Sequence, residues 1–301
     1  MMKFYLLELD GFQLIFIAGG YFMILYTKNF IEAKKRELKE RVSKLNRVPK
    51  LVIIKANDDP ASARYVANKR KMCQEIGVES CIMEFDKNTT NGELRQVIEE
   101  LNYDESVTGI LLQLPLYDHL DEDYLVNHIS PHKDVDGFGT FNTGRLALGK
   151  PLNVPCTPLG IVNFLEYGGV DLLGKTICIV NASNIVGKPL SQLLLTKGAT
   201  PIICHKDTKN IQDLIDSSNI IVTATGQANL FGFDNFYEGQ IIVDVSINIG
   251  EDGKLCGDIR KKEYDIMEEE GIHFTPTPGG VGPLTVITLI DQTVSIAERN
   301  M

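Results

Sequence analysis

Short runs of apolar, largely β-branched residues recur along this chain, each followed by a longer stretch with apolar positions at helical spacing. LVIIK (51–55), SCIMEF (80–85) and GILLQL (109–114) predict three strands, and the segments 60–77 and 91–102 between them predict helices. Upstream, residues 28–45 read as a long charged helix with one apolar face, ending at Asn46 and Pro49. A second series follows with TICIV (176–180), PIIC (201–204), NIIVTAT (219–225) and QIIVDVS (240–246). A final amphipathic helix is predicted from about Thr285 to Arg299. Strands that are apolar throughout, separated by helices, predict parallel sheets covered on both faces. Between about Asp134 and Pro158 the composition shifts to Gly, Asn, Thr and Pro, which marks a domain boundary or cleft. The fold expected is therefore α/β: two α/β domains with a ligand cleft between them, the second a Rossmann-like doubly wound parallel sheet.

The N-terminus stands apart. Residues 12–26, FQLIFIAGGYFMILY, are almost entirely apolar, yet short for a membrane span and preceded by Glu8 and Asp10 instead of a basic cluster. A strand or loop packed on the first domain fits this pattern better than a targeting segment. An upstream extension before a start at Met23 fits it too.

Composition narrows the class. With 301 residues, 44% hydrophobic and 23% charged, the chain has room for two soluble domains with their own cores. A net charge of −10 argues against a nucleic-acid partner, which needs a basic stripe. The six cysteines lie far apart with no C-x-x-C pair, so neither metal spacing nor a disulfide framework is read. Each is expected to be a free thiol acting as a small core residue in a reducing cytosol.

Two stretches carry candidate chemistry. In ICIVNASNIVGKPL (177–190) a strand stops at a small polar loop and a helix starts near Gly187. Strand, tight loop and helix start is a way to hold a dinucleotide pyrophosphate, though many plain βα connections look alike. Such loops usually open on glycine; here the position is Asn181. Asn tolerates the left-handed backbone better than other non-glycine residues, so Asn181 is expected to make the turn in that conformation at some strain. After the next strand comes Cys204-His205-Lys206. A lysine there favours a 2′-phosphate, whereas NAD-binding loops place a carboxylate, and Asp207 stands next door. TATGQ (223–227) and DVSIN (244–248) end further strands where a ligand crevice is expected.

The other stretch is DPASARYVANKRKMCQEIG (59–77). Asp59 suits an N-cap and Pro60 the first helical position. Tyr65, Lys69, Met72 and Ile76 then fall along one face. Lys69 either snorkels to water, as Arg70 and Lys71 do, or sits in a partly apolar cleft with a lowered pKa, suited to proton transfer. Gln113, at an apolar strand end, needs a partner. Asp134 and Asp136 in KDVDGFGT either make a turn or accept N–H bonds from a ring such as a pterin or purine.

Taken together, YVANK, GILLQLPL, KDVDGF, PCTP, NASNIVGKP and TPTPGGVGPLT resemble the bifunctional methylenetetrahydrofolate dehydrogenase/methenyltetrahydrofolate cyclohydrolases, from about Met23 to the C-terminus. The resemblance implies oxidation of 5,10-methylenetetrahydrofolate by NADP⁺ and hydrolysis of the methenyl product to 10-formyltetrahydrofolate. It implies that Lys69 is the key catalytic group, that Tyr65 stacks on the folate, that Gln113 tunes Lys69 and that Asp136 grips the pterin. Leu114, Pro115, Pro278, Gly279 and Gly280 would line the folate site. On the cofactor side, Asn181, Ala182, Ser183, Ile185, Val186 and Gly187 would form the phosphate loop. Lys206 would meet the 2′-phosphate, and Thr225, Gly226, Ser246 and Ile247 the nicotinamide side. The implied domains are an atypical extension at 1–22, a folate-binding catalytic domain at 23–150 completed by a helix at 283–301, and an NADP-binding domain at 151–282. A cytoplasmic homodimer with tetrahydrofolate derivatives as partners, and with no metal, nucleic acid or membrane, is implied as well. Asn57, Asn181 and Ser246 stand where the family pattern has glycine, which bears on cofactor binding and the NADP/NAD choice.

Overall fold

A computed structural model describes residues 5–9, 12–17, 20–22 and 25–300. The apolar N-terminal segment contributes β2 (Phe12–Ile17) and β3 (Gly20–Phe22), which with β1 (Tyr5–Leu9) form a small antiparallel sheet in the order β1-β2-β3. Met23 lies outside the described residues. The chain divides into two compact units: a first unit of residues 34–156 with 286–301, and a second of residues 1–33 with 157–285.

Along the chain come α1 (Lys28–Ser43), β4 (Lys50–Lys55), α2 (Pro60–Ile76), β5 (Glu79–Glu84), α3 (Asn91–Tyr103) and β6 (Gly109–Gln113). The short helices α4 (Glu122–Val126) and α5 (Thr140–Ala147) complete this run. The sheet of the first unit is parallel in the order β5-β4-β6, with Ile53 opposite both Ile82 and Leu111. Val52, Ile54, Ile110 and Leu112 of β4 and β6 pack against Leu94 and Ile98 of α3 as a fully enclosed core. The sequence sets the helix ends. Asp59 caps α2 by accepting from the N–H groups of Ala61 and Ser62, a bond set that typically contributes about 1 kcal/mol. Gly77 closes the helix at φ 95°, a left-handed position that glycine takes without a Cβ penalty. Thr90 and Glu93 form a reciprocal capping box on α3.

The second unit continues with α6 (Cys156–Tyr167), β7 (Thr176–Val180), α7 (Gly187–Thr196), β8 (Thr200–Cys204), α8 (Ile211–Asp216), β9 (Ile220–Thr223) and β10 (Ile241–Asp244). The hairpin β11 (Asn248–Ile249) and β12 (Leu255–Cys256), then α9 (Tyr264–Glu269), β13 (His273–Phe274) and α10 (Val281–Arg299) follow. Its sheet runs β13-β10-β9-β7-β8, all parallel, as the uninterrupted apolar strands predict.

Two expectations are corrected. Helix α10 begins at Val281, four residues before the predicted start, because Pro283 falls in its first turn, where a missing N–H costs nothing. The Gly/Pro-rich stretch from about Asp134 to Pro158 contains α5 and the start of α6, with Pro158 likewise in a first turn, and the two units divide within it, between Cys156 and Thr157. All six cysteines are free, but Cys81 is exposed: it lies on the edge strand β5, none of whose residues is fully buried. Among the described residues no helix is long and apolar enough to cross a membrane, and no cluster of His, Cys, Asp and Glu could hold a metal ion.

Candidate active site

In the first unit, α2 and the end of β6 bring Lys69 and Gln113 together. The buried line of α2 is Ser62, Val66, Lys69, Cys73 and Ile76; Tyr65 and Met72 are half-buried at its margin, and Arg70 and Lys71 are exposed. Lys69 is 6% exposed, and its Nζ donates to Gln113 Oε1 at 2.9 Å. Gln113 in turn donates from Nε2 to the carbonyl of Leu114 at 2.7 Å, which fixes its amide with the acceptor oxygen toward Lys69. A buried ammonium is costly without such an acceptor. Burial raises the Tyr65 hydroxyl pKa and pushes the Cys73 thiol up to about 12, while the Lys69 charge acts on Cys73 in the opposite direction. Below the same strand end, Asn57 Nδ2 donates to Ser62 Oγ at 3.1 Å and to the carbonyl of Pro115 at 2.7 Å. Leu114 is half-buried and Pro115 exposed, joined by a cis peptide bond.

The two aspartates of KDVDGF separate in role. Asp134 is buried and organises the loop: its carboxylate accepts from Gly137 N at 2.9 Å, Gly139 N at 3.0 Å and Asn142 Nδ2 at 2.9 Å. Desolvation raises its pKa. Asp136 is half-buried and does not share those bonds. Beside it stands Cys156, whose buried thiol is pushed well up, by burial first and then by the Asp136 charge, with the Lys69 charge acting the other way. Lys69, Asp136 and Cys156 thus share one neighbourhood. Gln292 of α10 underlies it: its Oε1 accepts from Val154 N at 2.9 Å, and its Nε2 donates to Val135 O and Val154 O, both at 2.7 Å, and to Cys156 Sγ at 3.3 Å. Neither Cys156 nor Gln292 was singled out by sequence reasoning; a lone amide inside an apolar helix was the available signal.

In the second unit, β7 ends at Val180, Asn181 opens the loop and α7 starts at Gly187. The left-handed turn expected at Asn181 is absent; the non-glycine residues with positive φ among the described residues are Asn210 and Asn229. The turn is made by the side chain instead. Asn181 Oδ1 accepts from Ser183 N at 2.8 Å, Ser183 Oγ at 2.7 Å and Gly187 N at 2.9 Å, while Nδ2 donates to the carbonyl of Ala224 at 2.6 Å. Gly187 is required here, since an added Cβ would overlap the main-chain carbonyl of Asn181. Ala182, Ser183 and Val186 are half-buried, and Ile185 is 45% exposed. Lys206 is exposed, and the Asp207 carboxylate lies 4.0 Å from His205 Nδ1. At the ends of β9 and β10, Thr225 N donates to Asp258 Oδ2 at 2.7 Å and Gly226 N to Ser246 Oγ at 3.0 Å; Ile247 is 47% exposed. The loop with Pro278, Gly279 and Gly280 also belongs to the second unit, where Thr27 Oγ1 donates to the carbonyls of Gly279 at 2.7 Å and Gly280 at 3.1 Å.

Residues 25–136 match the family described as tetrahydrofolate dehydrogenase/cyclohydrolase, catalytic domain, and residues 155–301 its NAD(P)-binding domain. The chain is 42% identical over 281 residues to the bifunctional protein FolD of Bacillus velezensis, covering 92% of this chain and 98% of that one. The crystal structure of the bifunctional enzyme FolD of Campylobacter jejuni matches at a TM-score of 0.89 and 41% identity, over 92% of this chain and 99% of that one. The Trypanosoma brucei enzyme, complexed with NADP cofactor and inhibitor, matches at a TM-score of 0.84 and 29% identity, over 92% and 97%. The chain belongs to the tetrahydrofolate dehydrogenase/cyclohydrolase family. Its C-terminal residues 286–301, although within the NAD(P)-binding match, are part of the first compact unit, where Gln292 reaches Val135 and Val154.

The residues of the second unit fit a dinucleotide. Helix α7 is ten residues long and begins at the loop, so its N-terminal dipole favours an anion placed there, while Gly187 N and Lys188 N are taken by Asn181 Oδ1 and the Ser183 carbonyl. Gly226, at φ 69°, has no atom within 4 Å of where a Cβ would stand, which leaves room for a ligand against the backbone. Lys206 supplies an exposed cation.

Proposed function

We propose that this member of the family oxidises 5,10-methylenetetrahydrofolate with NADP⁺ and hydrolyses the methenyl product to 10-formyltetrahydrofolate. The observation that carries the reading is Lys69, 6% exposed and held by Gln113 Oε1 at 2.9 Å. Hydrolysis of a methenyl cation needs a water and a group that handles its proton, and a desolvated amine held at a fixed nitrogen suits that step better than a solvated one. In this reading Tyr65 stacks on the folate, Gln113 orients Lys69, and Asp136 accepts N–H bonds from the pterin. Leu114, Pro115, Pro278, Gly279 and Gly280 shape the folate's surroundings. Bound NADP⁺ supplies the hydride acceptor, so the protein's share of the oxidation is orientation and exclusion of water. Asn181, Ala182, Ser183, Ile185, Val186 and Gly187 receive the pyrophosphate, Lys206 the 2′-phosphate, and Thr225, Gly226, Ser246 and Ile247 the nicotinamide side.

The same reading includes a homodimer working in the cytoplasm. Its support is the edge strand β5, which has a neighbour on one side alone among the described residues, and the six free thiols. The deciding experiment mixes purified protein with methylenetetrahydrofolate and each nicotinamide cofactor. Absorbance of reduced cofactor should rise with NADP⁺, and a flat trace with both NADP⁺ and NAD⁺ defeats the dehydrogenase assignment.

A further inference from the structure

We propose that Asn181 and Ser246 are positioning residues that pin the Ala224–Thr225–Gly226 segment and the phosphate loop in cofactor-receiving shape before any cofactor arrives. The proposal rests on the second unit's role in binding NADP.

The segment leaves the end of β9, and each of its three residues is held by a side chain from elsewhere in the chain. Ala224 O accepts from Asn181 Nδ2 at 2.6 Å, Thr225 N donates to Asp258 Oδ2 at 2.7 Å, and Gly226 N donates to Ser246 Oγ at 3.0 Å. Asn181 is bound at both ends of its amide, since its oxygen takes Ser183 N, Ser183 Oγ and Gly187 N. One side chain therefore ties the start of α7 to a carbonyl 43 residues beyond Asn181. Ser246 is itself fixed, its N–H donating to Asp244 Oδ1 at 3.2 Å; the buried Asp244 carboxylate also accepts from Asp258 N at 3.1 Å and Ile259 N at 3.0 Å. The links run from Asn181 through Ala224–Gly226 to Ser246, Asp244 and Asp258, and back to Thr225.

A dinucleotide loop opening on glycine has no side chain of its own to accept these N–H groups, so ligand oxygens or water must take them. In this chain the Asn181 oxygen accepts two of the loop's N–H groups without a ligand. The cost of ordering the loop is then met at folding and not at binding, which favours affinity. Among the described residues, the N–H groups of Ala182, Asn184 and Ile185 stay uncommitted, so these are the loop donors left to read a pyrophosphate. Gly226, open on its ligand side, is the point at which this pinned backbone meets the nicotinamide half of the cofactor.

The test compares N181G, S246G and the double variant with wild type. One readout is amide hydrogen exchange of the cofactor-free protein; the other is equilibrium titration with NADP⁺ and with adenosine 2′-monophosphate. Without cofactor, the amides of Ser183, Gly187 and Gly226 should be protected in wild type and exchange faster in N181G, and Gly226 should also exchange faster in S246G. NADP⁺ affinity should fall about tenfold in N181G and about fivefold in S246G, the size expected for lost hydrogen bonds in a binding loop. Because both act on one segment, the double variant should lose about as much as N181G and not the product of the two. Adenosine 2′-monophosphate, which reaches Lys206 and not the pinned segment, should bind all variants within about twofold of wild type, whereas general unravelling weakens it equally. S246T, which keeps the acceptor oxygen, should recover most of the NADP⁺ affinity; N181A and S246A repeat the test without added backbone freedom. Unchanged NADP⁺ affinity in both single variants, or multiplicative losses in the double, overturns the proposal. Failure of wild type to bind NADP⁺ overturns instead the cofactor reading beneath it.

Discussion

Replacing Gln292 with leucine removes one buried amide and exposes how the C-terminal helix supports the site. Gln292 is 7% exposed and serves three main-chain groups: Val154 N, Val135 O and Val154 O. Leucine fills nearly the same volume and offers none of these partners. Each buried group left unpaired costs about 1–3 kcal/mol, and the gain from a more apolar side chain returns about 1 kcal/mol. Carbonyls tolerate under-satisfaction better than N–H groups, which places the net loss at about 3 kcal/mol, a large part of an ordinary domain's stability. Urea unfolding should show a lower midpoint with an unchanged m-value, because the exposed area does not change. Val135 adjoins Asp136, so the KM for the folate substrate should also rise. Gln292→Glu sharpens the test: it keeps the acceptor for Val154 N but sets carboxylate oxygens against two carbonyls, and it should destabilise at least as much at neutral pH. A Q292L protein within about 0.5 kcal/mol of wild type would refute the assignment of these bonds as the anchor of the Val135–Asp136 turn.

The remaining predictions concern both units. Lys69→Met should abolish cyclohydrolase activity, followed as loss of methenyltetrahydrofolate absorbance; full activity removes Lys69 from the mechanism. Gly187→Ala should weaken NADP⁺ binding at least tenfold and lower the Tm, because the new Cβ meets main-chain atoms that cannot rotate away. Arg41→Ala should lose about 1 kcal/mol, since its guanidinium bridges Asp291 at 2.6 Å, Ser295 at 2.8 Å and Glu298 at 2.8 Å, tying α1 to α10. The Glu298 carboxyl is held below its usual 4.5 mainly by its hydrogen bond from Arg41, so its share is present above that pH and lost as pH falls through the lowered value. The stability gap between wild type and R41A should therefore shrink on acidification; a gap constant from pH 7 to pH 3 refutes the ion pair's role.

How far the sequence could be read depended on whether the deciding contact was local. The two-residue β13 at the edge of the second sheet carries no apolar run, whereas the strands β4 to β10 were legible because parallel strands are built from short apolar runs. Their ends were not: NIIVTAT and QIIVDVS were expected to run to Thr225 and Ser246, but β9 stops at Thr223 and β10 at Asp244. Ala224 N and Val245 N still reach the carbonyls of Val180 and Thr223, but the N–H groups after them are taken by side chains, Thr225 N by Asp258 and Ser246 N by Asp244, and Asp258 lies 33 residues from its partner. The buried face of α2 followed from spacing, whereas the amide that meets Lys69 lies 44 residues away: its apolar strand end marked Gln113 as needing a partner, and the resemblance alone paired it with Lys69. Gln292 is 157 residues from Val135, beyond any pattern in its own helix. Asn181 divides along the same line. Its bond to Ser183 N, two residues on, is a local Asx turn, available from asparagine's known habit of capturing its own backbone. Reading that position by the φ it tolerates missed this, because the side chain's oxygen supplies what a left-handed backbone would have supplied. The reach of its nitrogen to Ala224 is non-local, and only the folded sheet places that carbonyl within 2.6 Å. A polar residue standing where a tight loop usually has glycine is thus better examined first for what its side chain can bond, and only then for the backbone strain it could bear.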